Sequence, residues 1–304
     1  MTDDAFFDER ARRDSNPQPS DPKSDALSVE LRAHCLAHVV HQAEAKSNRQ
    51  KEPKEAMGLR FSTMSLSQRR LTLVGFSVHA FTALGAIAGL LALAAILDGR
   101  IQEGLIWLIV CQVLDGFDGP IARKIDVKTH APQINGHTLD LVVDYVTCVV
   151  VPVVLMIQLK MIMPGWEITV AGIIFFTAAL WFARSDQETD DHWFNGFPAS
   201  WNLVIPSFLI LDVPHNWVIG ISLVICIVQL TTIKFPHLVK VRTLRPLTLS
   251  ITTIYFAAMT VLSLEYPNGP DELKPILVVA PLYVIALAIW RTFFAGTNDE
   301  EELV

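Results

Sequence analysis

From residue 71 onward, apolar stretches alternate with short charged loops, and this alternation limits what the chain can fold into. A helix crossing the hydrocarbon of a bilayer needs about 20 mostly apolar residues, with a range of roughly 17–25. About eight stretches approach that length: 76–97, 103–121, 138–159, 167–184, 199–212, 216–234, 247–264 and 275–294. The fifth is the shortest, and Pro206 and Asp212 interrupt it. The loops between them are short, so neighbouring helices pack antiparallel. The expected fold is an all-α integral membrane protein, a bundle of about eight transmembrane helices.

Composition agrees. Charged residues make up 18% of the 304-residue chain, against about 25% in a typical soluble domain. The formal net charge of −7 says nothing of nucleic acid, and no Gly-rich nucleotide loop, helix-turn-helix or zinc pattern is present. No nucleic-acid partner is expected. Cys35, Cys111, Cys148 and Cys226 show no CxxC spacing and read as isolated small residues rather than a disulfide framework.

The first residues, Met1 to Lys23, are polar and charged without an apolar core, so they do not read as a cleavable signal peptide. Residues 1–65 are expected to form a disordered or loosely helical cytoplasmic extension, 66–296 the membrane domain, and 297–304 an acidic tail. Orientation follows from the basic residues. With the N-terminus in the cytoplasm, the inner loops hold Arg123, Lys124, Lys128, Arg184, Lys234, Lys240, Arg242, Arg245 and Arg291. The outer loops hold only Arg100, Lys160 and Lys274. That bias predicts both termini in the cytoplasm of a multi-pass protein of the bacterial inner membrane.

Four aspartates stand out against this background: Asp115, Asp118, Asp140 and Asp144. Ionised carboxylates within membrane segments are costly and mark polar cavities, cation sites or mutual pairs. At about 100° per residue, Asp118, Gly119 and Ala122 fall within about 60° of Asp115 around one helix. Asp140 and Asp144 are i,i+4 neighbours on the next helix. Two connected helices therefore present all four carboxylates to one polar, cytoplasm-facing cavity. Oxygen-only ligands favour a hard cation, Mg²⁺ or Mn²⁺. Two ions roughly 4 Å apart would clamp a phosphate for in-line displacement. Gly119 and Ala122 leave room for close approach, and Arg123 offers a bidentate phosphate donor. Pro120 deletes a backbone hydrogen bond and predicts a kink.

Written out, these residues are Asp115-x2-Asp118-Gly119-x2-Ala122-Arg123, a spacer, then Gly136-x3-Asp140-x3-Asp144. The pattern resembles the signature of the CDP-alcohol phosphatidyltransferases, membrane enzymes that move a phosphatidyl or related group from a CDP-linked donor to an alcohol. Every fixed position is matched. The spacer, residues 124–135, is longer than in most members and resembles that of the bacterial phosphatidylcholine synthase branch. His79-Ala-Phe-Thr-Ala-Leu-Gly85, Phe197-Pro-Ala-Ser-Trp201-Asn202 and His237 to Thr248 resemble that branch too.

The resemblance implies that Asp115, Asp118 and Asp140 bind the metals and that Asp144 is both metal neighbour and general base. It implies that Gly119, Ala122, Arg123 and Gly136 line the CDP site. The branch implies CDP-diacylglycerol and choline as substrates, with phosphatidylcholine and CMP as products. Choline's quaternary ammonium is usually held by aromatic faces. Phe117, Tyr145, Trp193, Phe194 and Trp201 lie near the cytoplasmic end, and Trp201 with Asn202 and Tyr145 form the preferred choline set. Another acceptor, glycerol phosphate, inositol phosphate or serine, is the alternative. The acidic loop with Asp186, Glu188, Asp190 and Asp191 suits a cationic acceptor better than a phosphorylated one. A cation transporter is the remote alternative, since its acidic residues would be spread through the membrane depth. Ser200 and Asn202 are expected to cap the fifth span. Gly85 and Gly89 form a GxxxG pattern, a device for tight packing that also serves homodimers.

Overall fold

The computed structural model describes residues 65–295. The expected N-terminal extension and acidic tail fall outside the described residues, apart from the edges of those ranges. The described chain is almost wholly helical. Helix α1 spans Leu66–Leu97 and α2 spans Ile101–Ile125. A short α3, Val127–His130, lies in the spacer. Helix α4, Gly136–Asp144, continues through a wider π turn, Tyr145–Val150, into α5, Val151–Gln158. Then follow α6, Glu167–Phe182; α7, Trp201–Ile210; α8, His215–Gln229; α9, Arg245–Leu264; and α10, Ile276–Phe293.

Each predicted stretch contains a helix, but the lengths differ. Among the described residues, five helical segments are long and apolar enough to cross a membrane: Leu66–Leu97, Ile101–Ile125, Gly136–Gln158, Arg245–Leu264 and Asp271–Phe293. The other three, α6, α7 and α8, are shorter apolar helices of 16, 10 and 15 residues. The architecture is that of an all-α membrane protein. Helix α1 begins ten residues before the predicted stretch because hydropathy reports the lipid-facing part of a helix and not its polar overhang. At 1.5 Å per residue it is about 48 Å long, well beyond a hydrocarbon core of roughly 30 Å. Helix α2 runs through Pro120 without interruption.

Apolar side chains point both ways. Ile96, Leu105, Leu155, Ile174, Trp201, Ile205 and Val218 fill the main core. Leu90, Ile168, Phe176, Trp217, Ile227 and Val279 are exposed on the outer faces. Helices apolar all round belong in lipid or in a deep core. Polar side chains are the ones turned inward, and they join helices. Thr177 donates to Gln229 at 3.1 Å between α6 and α8, Ser207 meets Tyr255 at 3.1 Å between α7 and α9, and Thr248 meets Tyr283 at 2.7 Å between α9 and α10. Such bonds carry much of the specificity of helix association where water is absent, typically about 0.6 kcal/mol each and up to ~2.

The loops before α7 and α9 pair as a two-stranded antiparallel sheet, β1 Trp193–Asn195 with β2 Lys234–Pro236. Trp193 is fully buried, and the Arg291 guanidinium lies 5.7 Å from its ring centroid. Arg291 also pairs with Asp191 at 2.5 Å, which ties the sheet to the end of α10.

Candidate active site

The site is built on α2 and α4, and the spacer sets how they meet. Asp126 ends α2 in the left-handed conformation (φ 51°, ψ 54°), turning the chain into α3. Val127 and Ala131 then bury against Val78 of α1. Ala131 fits because residue 75 is glycine: a Cβ there would come within 2.9 Å of the Ala131 Cβ. His79 Nε2 lies 3.4 Å from the Ala131 carbonyl, and its ring abuts Gly136, whose added Cβ would lie 3.1 Å from it. Asn135 caps α4, its side chain accepting from the Thr138 N–H at 3.2 Å. The long spacer is thus folded back on α1 and delivers α4 at a fixed angle.

The GxxxG pattern acts within the same seam. A Cβ at Gly85 would sit 2.8 Å from Val143, and one at Gly89 would sit 3.1 Å from Thr147. These glycines seat α1 on the helix that carries Asp144. The pattern is therefore spent inside one chain, and it gives no support to a dimer.

Asp115, Asp140 and Asp144 converge. Each offers an oxygen, and these atoms lie within 4.8 Å of one another. Asp118 is buried and its carboxyl approaches Asp140, but it stands outside that convergent set. Three carboxylates this close repel by about 3–4 kcal/mol per pair at an effective dielectric near 20. A hard divalent cation would reverse that term, so the donor set fits Mg²⁺ or Mn²⁺. Lys240 is the basic side chain whose field reaches Asp140.

The remaining predicted residues fall around this centre in different ways. Gly119 makes room for Arg123: a Cβ there would lie 3.3 Å from the guanidinium Nη1, and Arg123 itself is exposed. Ala122 is partly buried and packs beside Val78, Val127 and Ala131. Tyr145 follows Asp144 directly, donates to the Phe175 carbonyl at 3.2 Å, and packs edge-on against Phe175 and Phe182. Trp201 and Trp193 are fully buried, whereas Phe117 is exposed. Arg242 and Arg245 are exposed at the start of α9.

Two expectations change. Ser200 stands at the start of α7 but its side chain makes no cap bond there, and it turns to the Pro198 carbonyl at 3.4 Å. Asn202 does not cap either; its amide donates to Gln112 Oε1 at 2.7 Å. The acidic loop is also less negative than its composition suggests. Arg184 pairs with Asp186, His192 and Lys240 with Glu188, and Arg291 with Asp191. With these partners the loop offers less free negative charge to a cationic acceptor than its composition implies.

Sequence reasoning missed Gln112. Its Nε2 donates to Asp115 Oδ2 at 3.2 Å. The signal was available: an amide one turn before an aspartate, on the same stripe of an apolar helix.

Two helices carrying clustered carboxylates, small residues and one arginine fit the class of membrane transferases that the motif resembles. The CDP-alcohol phosphatidyltransferase family model matches residues 78–229, and the chain belongs to that family. Its similar relatives narrow the class. The phosphatidylcholine synthase of Pseudomonas aeruginosa is 34% identical over 218 residues, 71% of this chain and 91% of the relative. That of Rhizobium meliloti is 35% identical over 219 residues, 70% of this chain and 90% of the relative. That of Borreliella burgdorferi is 30% identical over 224 residues, 73% of this chain and 95% of the relative. The chain is thus an enzyme, a transferase of phospholipid biosynthesis from the phosphatidylcholine synthase branch.

Proposed function

We propose that this enzyme transfers the phosphatidyl group of CDP-diacylglycerol to choline, giving phosphatidylcholine and CMP. The convergence of Asp115, Asp140 and Asp144 on one point carries the reading. The similarity to named phosphatidylcholine synthases over most of their length supports the choice of acceptor.

Asp115, Asp140 and Asp144, with Asp118 beside Asp140, would hold one or two Mg²⁺ or Mn²⁺ ions. When bound, the cation supplies charge compensation for the pyrophosphate and its leaving group. Gly119, Ala122, Arg123 and Gly136 line the nucleotide side of the pocket, with Arg123 free to reach phosphate oxygens. Asp144 takes the proton of the choline hydroxyl as its oxygen attacks the lipid-side phosphorus. The bond from that phosphorus to the bridging oxygen breaks, and CMP leaves with the electron pair. An alcohol is a weak nucleophile, and a positioned base typically contributes about 10²–10⁴-fold. Tyr145, adjoining Asp144, is the nearest of the proposed choline contacts along the chain. Trp201 and Asn202, buried at the start of α7, are the other proposed choline contacts.

The membrane domain is residues 66–296, with all eight apolar helical segments embedded, both termini cytoplasmic, and the site opening to the cytoplasmic face of the bacterial inner membrane. Basic residues are concentrated in the 123–128 and 234–245 segments, and the field of Lys240 reaches Asp140, which supports that orientation.

The test is CMP release by purified enzyme from CDP-diacylglycerol with a panel of alcohols. Choline should react, and activity should vanish in EDTA and return with Mn²⁺. Asp144→Asn should lower kcat by about 10²–10⁴-fold. A wild-type rate for that variant excludes the base, and reaction with another alcohol in preference to choline excludes the acceptor.

A further inference from the structure

Beneath the carboxylate cluster, two amides form a chain that ends on Asp115. Gln112 lies one turn before Asp115 on α2, deeper in the membrane. Its Nε2 donates to Asp115 Oδ2 at 3.2 Å, and its Oε1 accepts from Asn202 Nδ2 at 2.7 Å. The direction of both bonds is fixed by chemistry. A carboxylate accepts only, so Gln112 must turn its NH₂ to Asp115, which leaves its oxygen for Asn202. Asn202 must then donate, and its own oxygen is left buried without a partner. Asn202 is 5% exposed, on the second residue of a ten-residue helix. A buried amide with one unmatched end costs about 1–3 kcal/mol. Such a residue persists where its other end does something that packing cannot.

We infer that Gln112 and Asn202 are positioning residues that fix the rotamer of Asp115. An aspartate side chain has two nearly equivalent oxygens and rotates easily about its last bond. The Gln112 bond engages Oδ2 and reserves Oδ1 for the cation. Asn202 holds Gln112 in the only orientation that does this. Helix α7 thereby takes part in the metal centre without supplying a ligand to it. The relay rests on the reading that Asp115 holds a divalent cation, and groups that orient metal ligands typically alter affinity by about 10–100-fold.

The experiment is Mn²⁺ binding by the full chain in lipid nanodiscs without substrate, read as free Mn²⁺ by electron paramagnetic resonance. Wild type should bind. Gln112→Leu should weaken binding about 10–100-fold, and Asn202→Leu should weaken it in the same direction. The double variant should equal Gln112→Leu alone, because the two act in series. Ser207→Ala, which removes a different bond of α7, should bind as wild type does. Wild-type affinity in Gln112→Leu, or additive losses in the double variant, would overturn the relay while leaving the cation reading intact. Absence of Mn²⁺ binding by wild type would overturn the cation reading itself and the relay with it. If Gln112→Leu does not fold, Asn202→Leu decides alone: unchanged affinity sinks the relay, and a loss without a matching loss in Ser207→Ala supports it.

Discussion

His237 stacks on Phe194 across the small sheet, ring centroids 5.3 Å apart and planes 20° off parallel. Burial, aided by the nearby Lys240 ammonium, lowers its pKa from 6.5 to about 4. Glu188 and His192 are the other charged neighbours, and Glu188 acts against the shift. The folded chain therefore holds His237 neutral where the unfolded chain protonates it. Between about pH 6.5 and 4 the unfolded state binds more protons, so stability rises with pH and is lost on acidification through this window. Thermal midpoints of the protein in detergent should fall between pH 7 and pH 5, and His237→Phe should flatten that fall. An equal fall in the variant would assign it to other groups. Burial alone would raise the Glu188 carboxyl, but its bonds to His192 and Lys240 outweigh burial and hold it under the usual carboxylate value. Single residues differed in how well the sequence announced them. The aspartates were legible because charge in apolar sequence is expensive. Gln112 was less so, since an uncharged polar residue in such a chain is as readily a packing residue as a functional one, and only its place one turn before Asp115 marks it.

Helices were legible as elements, and their joints were not. Hydropathy located the long helical segments, missed the short α3 and overstated α6 to α8, since flanking residues such as Ala199 are also apolar and pack as core. The π turn after Asp144 left no mark in the sequence. It widens the helix by one residue per turn and so resets which faces of Thr147 and Val151 meet α1. Thr147 shows the result, lying against Gly89 while its hydroxyl donates to the Val143 carbonyl at 3.1 Å. The glycine seam can be tested directly. Gly85→Val would force a branched side chain into a 2.8 Å gap against the stiff Val143, and overpacking of this kind costs about 1–3 kcal/mol. Because Val143 adjoins Asp144, α4 should shift and kcat should fall more than tenfold while the protein remains folded. Gly172→Val, where nothing lies within 4 Å of an added Cβ, should leave kcat unchanged. Equal rates in the two variants would separate the seam from the site.

At the scale of the molecule, the carboxylates lie in the C-terminal half of α2 and on α4, and charge is the guide to which side of the membrane they face. Helix α2 alone carries the distinction. Asp98 and Arg100 flank its start, and Lys128 follows its end beyond Asp126. At 25 residues it is about 37 Å long, enough to separate the two loops by the full hydrocarbon thickness. The basic segments cluster toward the Lys128 end in sequence, and under the proposed orientation that end, with Arg123 and Lys240, faces the cytoplasm. The cytoplasmic side suits the proposed chemistry, because a CDP-linked donor would release CMP to the aqueous pool of nucleotides. Cysteines introduced at the exposed Asp98 and Lys128 should therefore differ toward a membrane-impermeant maleimide. In spheroplasts Asp98→Cys should label at once, and Lys128→Cys only after permeabilisation, each scored above the labelling of the parent chain. The parent for this assay carries Cys35→Ser, since Cys35 lies outside the described residues, and its background should be low because Cys111 and Cys226 are buried and Cys148 is partly so. Labelling of Lys128→Cys in sealed spheroplasts would invert the topology. It would put the carboxylate site on the outer face, where a soluble nucleotide product has no use, and so would count against the proposed reaction as well as the orientation.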